Sequence, residues 1–145
     1  MPTFLYEFEV PADIAAVAAF HQDTRVLRPL TPAFVQLRRV DPLADGSESE
    51  FTVWFGPFPI RWRAVHRDVG PTGFTDIQAE GPLAYWEHTH RFTVIDADRT
   101  RLSEQIEYAY QPGWRGAYGR VFFGRPALRF LFWYRARQTR RRLSG

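Results

Sequence analysis

Hydrophobic and polar positions alternate with a period of two through most of this chain. Over residues 4–10, Phe4, Tyr6, Phe8 and Val10 oppose Leu5, Glu7 and Glu9, the pattern of a strand with one aromatic face. Pro11 ends that strand. Residues 12–22 then carry Ile14, Val17, Ala18 and His21 at helical spacing, with Pro11 placed for a helix start and Asp13 placed for the first-turn dipole. Residues 25–32, with two prolines, leave room for one more short helical turn before alternation resumes over 34–40. Asp45-Gly46 marks a hairpin, and a meander of strands follows over 48–55, 60–69, 74–79, 85–95 and 101–110. Gly-Pro pairs at 56–57, 70–71 and 81–82, and the run Asp96-Ala97-Asp98, supply the turns between them. Beyond Pro112-Gly113 the period becomes helical to about Arg142, with Gly116, Gly119 and Gly124 weakening the first half and Pro126 kinking or splitting it. Antiparallel strands in succession, closed by a helix, predict an α+β fold in which the helix covers the concave face of a curved sheet.

The most informative strand follows Gly81-Pro82. Its alternation places Trp86, His88, His90 and Phe92 on one face, large rings mixed with two imidazoles. Such a face suits a pocket better than a dry core, because buried imidazoles need partners and aromatic walls usually enclose something. Neighbouring strands add Leu102/Glu104/Ile106/Tyr108/Tyr110, Ile60/Trp62/Ala64/His66 and Phe74/Asp76/Gln78, provided that no strand slips by one residue and flips its face. If all four faces point inward, Asp76, His88, His90, Glu104 and His66 form a polar cluster in an aromatic cavity.

At 145 residues the chain has the size of one domain, 1–145, large enough for a core with a cavity. The absence of cysteine excludes disulfides, thiolate metal sites and cysteine nucleophiles. Met1-Pro2-Thr3 runs directly into a strand with no basic and apolar leader, which predicts a cytoplasmic protein. All 19 basic residues are arginine. Residues 1–107 hold 10 arginines against 16 carboxylates, a net −6, whereas residues 108–145 hold 9 arginines and no acid, a net +9. A basic segment of this kind meets nucleic acid, anionic lipid or the acidic part of its own domain. No zinc-ligand spacing, helix-turn-helix or phosphate loop accompanies it, so nucleic acid is not an expected partner.

Four roles fit the polar cluster. His-x-His with a carboxylate resembles some metal sites; imidazole beside carboxylate can move a proton to or from a bound ketone or enol; a histidine can orient the polar end of an apolar ligand; or Glu104 and a histidine satisfy one another inside the sheet. No nucleophile motif is present, and the residues favour the last two roles, with no metal ion. In the C-terminal helix Arg129, Trp133 and Arg137 share one face, which predicts Ala127, Phe130, Leu131 and Tyr134 on the opposite face as a lid. Arginine beside an exposed indole suits cation-π packing or weak contact with a membrane surface.

Val10-Pro11-Ala12-Asp13-Ile14, Leu30-Thr31-Pro32, Phe74-Thr75-Asp76-Ile77-Gln78, Gly81-Pro82, Trp86-x-His88-x-His90-x-Phe92, Thr100-x-Leu102 and Tyr108 resemble the START-related helix-grip (SRPBCC) superfamily, which includes polyketide cyclases and lipid-transport proteins, and in particular a bacterial ligand-binding branch of it. The resemblance covers the whole chain. It implies a seven-stranded curved antiparallel sheet wrapped around a long C-terminal helix, two short helices after the first strand, and a deep hydrophobic cavity for a lipid, quinone or polyketide-like molecule. The expected ligand-binding residues are Trp62, Trp86, His88, His90, Phe92, Glu104, Tyr108, Phe130, Leu131 and Tyr134. A binding or carrier role is expected, without cofactor or obligate protein partner. Two alternatives stand: a cyclase or aromatase using His88, His90, Glu104 or Asp76 as acid and base, and an adaptor recruited through the basic aromatic helix.

Overall fold

The computed structural model describes residues 2–144. Seven antiparallel strands, β1 (Thr3–Val10), β2 (Phe34–Val40), β3 (Glu48–Phe55), β4 (Phe58–Gly70), β5 (Gly73–Glu80), β6 (Tyr85–Asp96) and β7 (Arg99–Ala109), form one sheet in the order β1-β7-β6-β5-β4-β3-β2. The meander β2 to β7 is a chain of neighbouring hairpins, and β1 completes the sheet on the far side of β7. The alternating faces predicted for β4, β6 and β7 are the buried ones: Ile60/Trp62/Ala64/His66, Trp86/His88/His90/Phe92 and Leu102/Glu104/Ile106/Tyr108. On β5, Phe74 is buried and Asp76 and Gln78 are half-buried.

Between β1 and β2 lie α1 (Ile14–Gln22) and a single 3-10 turn at Thr24–Leu27. The expected first-turn position of Asp13 is corrected by one step. Asp13 is the N-cap itself, its carboxylate accepting from the Ala16 amide at 2.8 Å, because its own backbone is extended (φ −72°, ψ 164°) and the helix begins at Ile14. The second short helix is reduced to the 3-10 turn, since Pro29 and Pro32 bar continuation.

The long C-terminal helix is two helices, α2 (Trp114–Phe123) and α3 (Arg125–Leu143). The break falls at Gly124, which is extended (φ −73°, ψ 169°) and serves as C-cap of one and N-cap of the other. Pro126 sits in the first turn of α3, where its missing N–H has no partner to lose. The inward face of α3 also differs from expectation. Leu128, Phe132, Ala136 and Thr139 are buried, whereas Phe130 is 54% and Trp133 50% exposed. With bulky residues on every side, packing decides the rotation: Phe132 fits between Phe4, Tyr6 and His88, with ring centroids 5.7, 6.2 and 5.3 Å away.

The core divides in two. One cluster gathers Phe4, Trp62, Trp86, Ile106, Tyr108 and Phe132; the other gathers Phe8, Val10, Val17, Phe74, Phe92 and Leu102.

Candidate functional site

A cavity of about 280 Å³ lies between the sheet and the helices. Phe51, Trp62, Trp86, Phe122 and Phe123 supply aromatic wall, and Leu27, Leu30 and Pro32 supply the side formed by the segment after α1. Trp62 and Trp86 meet edge to face at 5.3 Å, and Phe123 of α2 stands within 6 Å of both rings. Phe130 and Leu131 also line the space, Phe130 from its half-exposed position on α3.

The polar wall of the cavity is built by strand register. His66 of β4 pairs with Asp76 of β5, Asp76 with His88 of β6, and His90 of β6 with Glu104 of β7. Residues directly opposite share a face, so three pairings across four strands converge these five side chains. Gly73 permits the close approach of β5 to β6: its φ is +145°, and a Cβ there would stand 2.0 Å from the His90 carbonyl oxygen.

Each imidazole has a defined partner. His88 Nε2 donates to Glu104 Oε2 at 2.7 Å, and His90 Nε2 donates to Asp76 Oδ2 at 2.9 Å. His66 Nε2 lies 3.1 Å from Asp76 Oδ1, and its Nδ1 lies 2.8 Å from Ser47 Oγ. His90 Nδ1 is 2.8 Å from Glu104 Oε2 but misaligned for hydrogen bonding, so it is a charge contact and leaves that nitrogen enclosed without a hydrogen bond. His21 of α1 donates from Nδ1 to the Val17 carbonyl at 2.8 Å, and its ring stands 6.1 Å from that of His90. The chain has 4 histidines, and all are buried in this one cluster.

Charge within the cluster follows from position. Burial pulls the His90 pKa down, but the Glu104 charge and the hydrogen bond to Asp76 outweigh it and raise it to about 9. Burial pushes both carboxylates up, yet hydrogen bonds from His66 and His90 hold Asp76, and the His90 charge and the His88 hydrogen bond hold Glu104, well below the usual carboxylate range. Burial, reinforced by the neighbouring His90 charge, lowers His88 and His21 to about 4. An imidazolium thus sits between two carboxylates, flanked by two neutral imidazoles. Arg135 of α3 lines the cavity beside them, its Nε donating to the Leu30 carbonyl at 3.2 Å and its guanidinium 5.4 Å from the Phe132 ring centre. Burial lowers its pKa, and the Glu104 and Asp76 charges act against that.

Of the residues expected to contact a ligand, Trp62, Trp86, His88, His90, Phe130 and Leu131 line the cavity. Phe92, Glu104, Tyr108 and Tyr134 do not. Phe92 packs in the second core cluster and Tyr108 in the first; Glu104 stands behind the two histidines; Tyr134 is turned off the cavity by the rotation of α3. Asp76 lines the cavity itself. Sequence reasoning missed Arg135, which read as one more basic residue of a basic tail, and the wall from Val26 to Ala33. His21 was visible as a histidine on the apolar face of α1, but its partner strand was not.

No family model matches the chain, and no curated protein matches it. Solved structures do. A START superfamily protein from Mycobacterium smegmatis superposes with a TM-score of 0.73 at 10% identity, covering 98% of this chain and 97% of that one. The chain has the helix-grip fold. Two enzymes share it: norcoclaurine synthase from Thalictrum flavum, solved in complex with dopamine and hydroxybenzaldehyde (TM-score 0.67, 14% identity, 95% and 86% covered), and an aromatase/cyclase from a Streptomyces species (0.67, 16%, 98% and 90%). In this helix-grip chain the grip is made by α2 and α3 together, and the cavity lies where the broken helix crosses the sheet.

Proposed function

We propose that this chain binds a hydrophobic small molecule in the cavity between sheet and helices and acts as a binding or carrier protein. The observation that carries the reading is the cavity itself, about 280 Å³ walled by Trp62, Trp86, Phe51 and Phe123, with its polar groups gathered on one wall. That combination of apolar area and few polar groups is how small-molecule sites obtain affinity and orientation. A volume near the low end of the usual range of roughly 300–1,000 Å³ suits a single-chain lipid, a quinone ring or a two- to three-ring polyketide, and disfavours a diacyl lipid. His88, His90, Asp76 and Arg135 would receive the ligand's polar end.

Native mass spectrometry of protein purified without detergent, followed by organic extraction, tests this. A discrete added mass, or saturable quenching of Trp62 and Trp86 by members of a fatty-acid, quinone and polyketide panel, is the expected result. A clean apo mass with no uptake from that panel overturns it.

One observation favours an enzyme as the second reading. A neutral cavity-lining imidazole, His88, is oriented by the buried Glu104 carboxylate, the arrangement that prepares a ring nitrogen for proton transfer. His88→Gln and His90→Gln separate the two. A carrier keeps its affinity within about tenfold, since each lost contact is worth about 1 kcal/mol, whereas a cyclase loses turnover while still binding.

A further inference from the structure

We propose that Asp76, His88 and His90 form a binding site for a divalent first-row transition-metal ion, Zn²⁺ or Fe²⁺ in type, on the polar wall of the cavity. One ligand atom from each lies within 4.8 Å of the other two. Metal–ligand bonds of about 2.0–2.2 Å in a tetrahedral site place neighbouring donors roughly 3.3–3.6 Å apart. Asp76 Oδ2 and His90 Nε2 stand 2.9 Å apart, so an ion enters by displacing the proton that His90 Nε2 donates and widening that pair slightly, and side-chain adjustment of up to about 1.5 Å brings in His88.

Two observations beyond proximity point to a cation. Two of the candidate ligands are held from behind, as metal ligands require, because Glu104 accepts from His88 Nε2 and His66 Nε2 stands 3.1 Å from Asp76 Oδ1. And no histidine is spent elsewhere. All 4 of the chain, from α1, β4 and β6, gather at Asp76, with His21 on the cavity wall and its ring 6.1 Å from that of His90.

Two imidazoles and one carboxylate, with no thiolate in the chain, exclude the soft-ligand metals and suit Zn²⁺ or Fe²⁺ with a coordination position left open. That position faces the apolar cavity, because all three ligands line it. This departs from the expectation of a metal-free cluster, since only the register of β5 against β6 shows Asp76 opposite the His-x-His pair. Glu104 and His66 are positioning residues in the arrangement.

Metal uptake is measured without any organic ligand, so its outcome is separate from that of the cavity reading. Tag-free protein, dialysed against EDTA and then freed of it, is titrated with Co²⁺ by visible absorption and with Zn²⁺ by calorimetry. The expected result is one ion per chain, a dissociation constant on the order of 1 µM or tighter, and d–d bands of a low-coordinate N/O site. His90→Gln and Asp76→Asn weaken binding by about 100-fold or more, and Glu104→Gln by about 10–100-fold with shifted Co²⁺ bands. The surface variant Arg99→Gln leaves binding unchanged.

Should the cluster variants fail to fold, X-ray absorption at the zinc edge of the wild-type protein decides, because its imidazole signature can arise only from these histidines. No saturable uptake of one ion, ligation without imidazole, or equal affinity in folded cluster variants overturns the proposal.

Discussion

Glu104 shows how far a single side chain depends on its neighbours. On β7 it lies among Leu102, Ile106 and Tyr108, a position that favours the neutral acid, yet His88 and His90 keep it ionised. Removing it leaves the His90 charge facing one carboxylate instead of two, inside the protein. Glu104→Ala is therefore expected to cost about 3–5 kcal/mol, the usual penalty for breaking a buried pair, measured as the fall in urea-unfolding free energy. Replacing Glu104 and His90 together with Leu and Phe should cost less than the sum of the single changes, and a double-mutant cycle measures that coupling. The sequence placed Glu104 on the inward face correctly, but its role behind the histidines rather than on the cavity wall depends on the β6–β7 register, which alternation leaves open.

Local chemistry explains most of the elements. Asp13 caps α1, and Asp13→Ala is expected to lower stability by about 1 kcal/mol in thermal or chemical unfolding, with no change at the cavity. Gly73 is a stricter requirement. Its Cβ would overlap the His90 carbonyl, so Gly73→Ala must move β5 away from β6 beside His90, three residue pairs from where Asp76 and His88 oppose one another. The expected outcome is a loss of about 1–3 kcal/mol together with perturbed His88 and His90 ring resonances in NMR spectra. The seven strands were legible because their turns carry Gly, Pro and Asp at the right intervals, and each end fell within a few residues of its expected position. The helices were less legible. Phe130-Leu131-Phe132-Trp133-Tyr134 offers no polar side, so periodicity cannot select the buried face and contact with β1 and β6 selects it instead.

For the molecule as a whole, the central feature is the cavity between the sheet and the helices. Ala64, small and buried on the cavity wall, offers a direct way to fill it. Ala64→Leu is expected to abolish uptake of hydrophobic probes while leaving the melting temperature unchanged or higher, the behaviour of a functional cavity rather than a packed core. Charge is also distributed on this scale. Every charged residue of α2 and α3 is an arginine, and Trp114 (80% exposed), Val121 (70%) and Trp133 (50%) stand exposed among them, with Arg137 over the Trp133 ring at 5.7 Å. Co-sedimentation with vesicles containing anionic lipid is expected at low salt, falling as salt rises and lost in the Arg129→Glu/Arg137→Glu variant.

The sequence by itself determined the α+β class, the number and order of the strands and the inward faces of β4, β6 and β7, because period-two alternation and turn residues are local properties of the chain. It also contained the unusual economy of four histidines and no cysteine. Only the tertiary structure decided which of those inward residues meet. Register set Asp76 opposite His88 and Glu104 opposite His90; α1 brought His21 to their rings; and the rotation of α3 added Arg135 to the wall while turning Tyr134 away. These are contacts between segments far apart in the chain, set by competition for one enclosed volume, and no local pattern encodes the outcome of that competition.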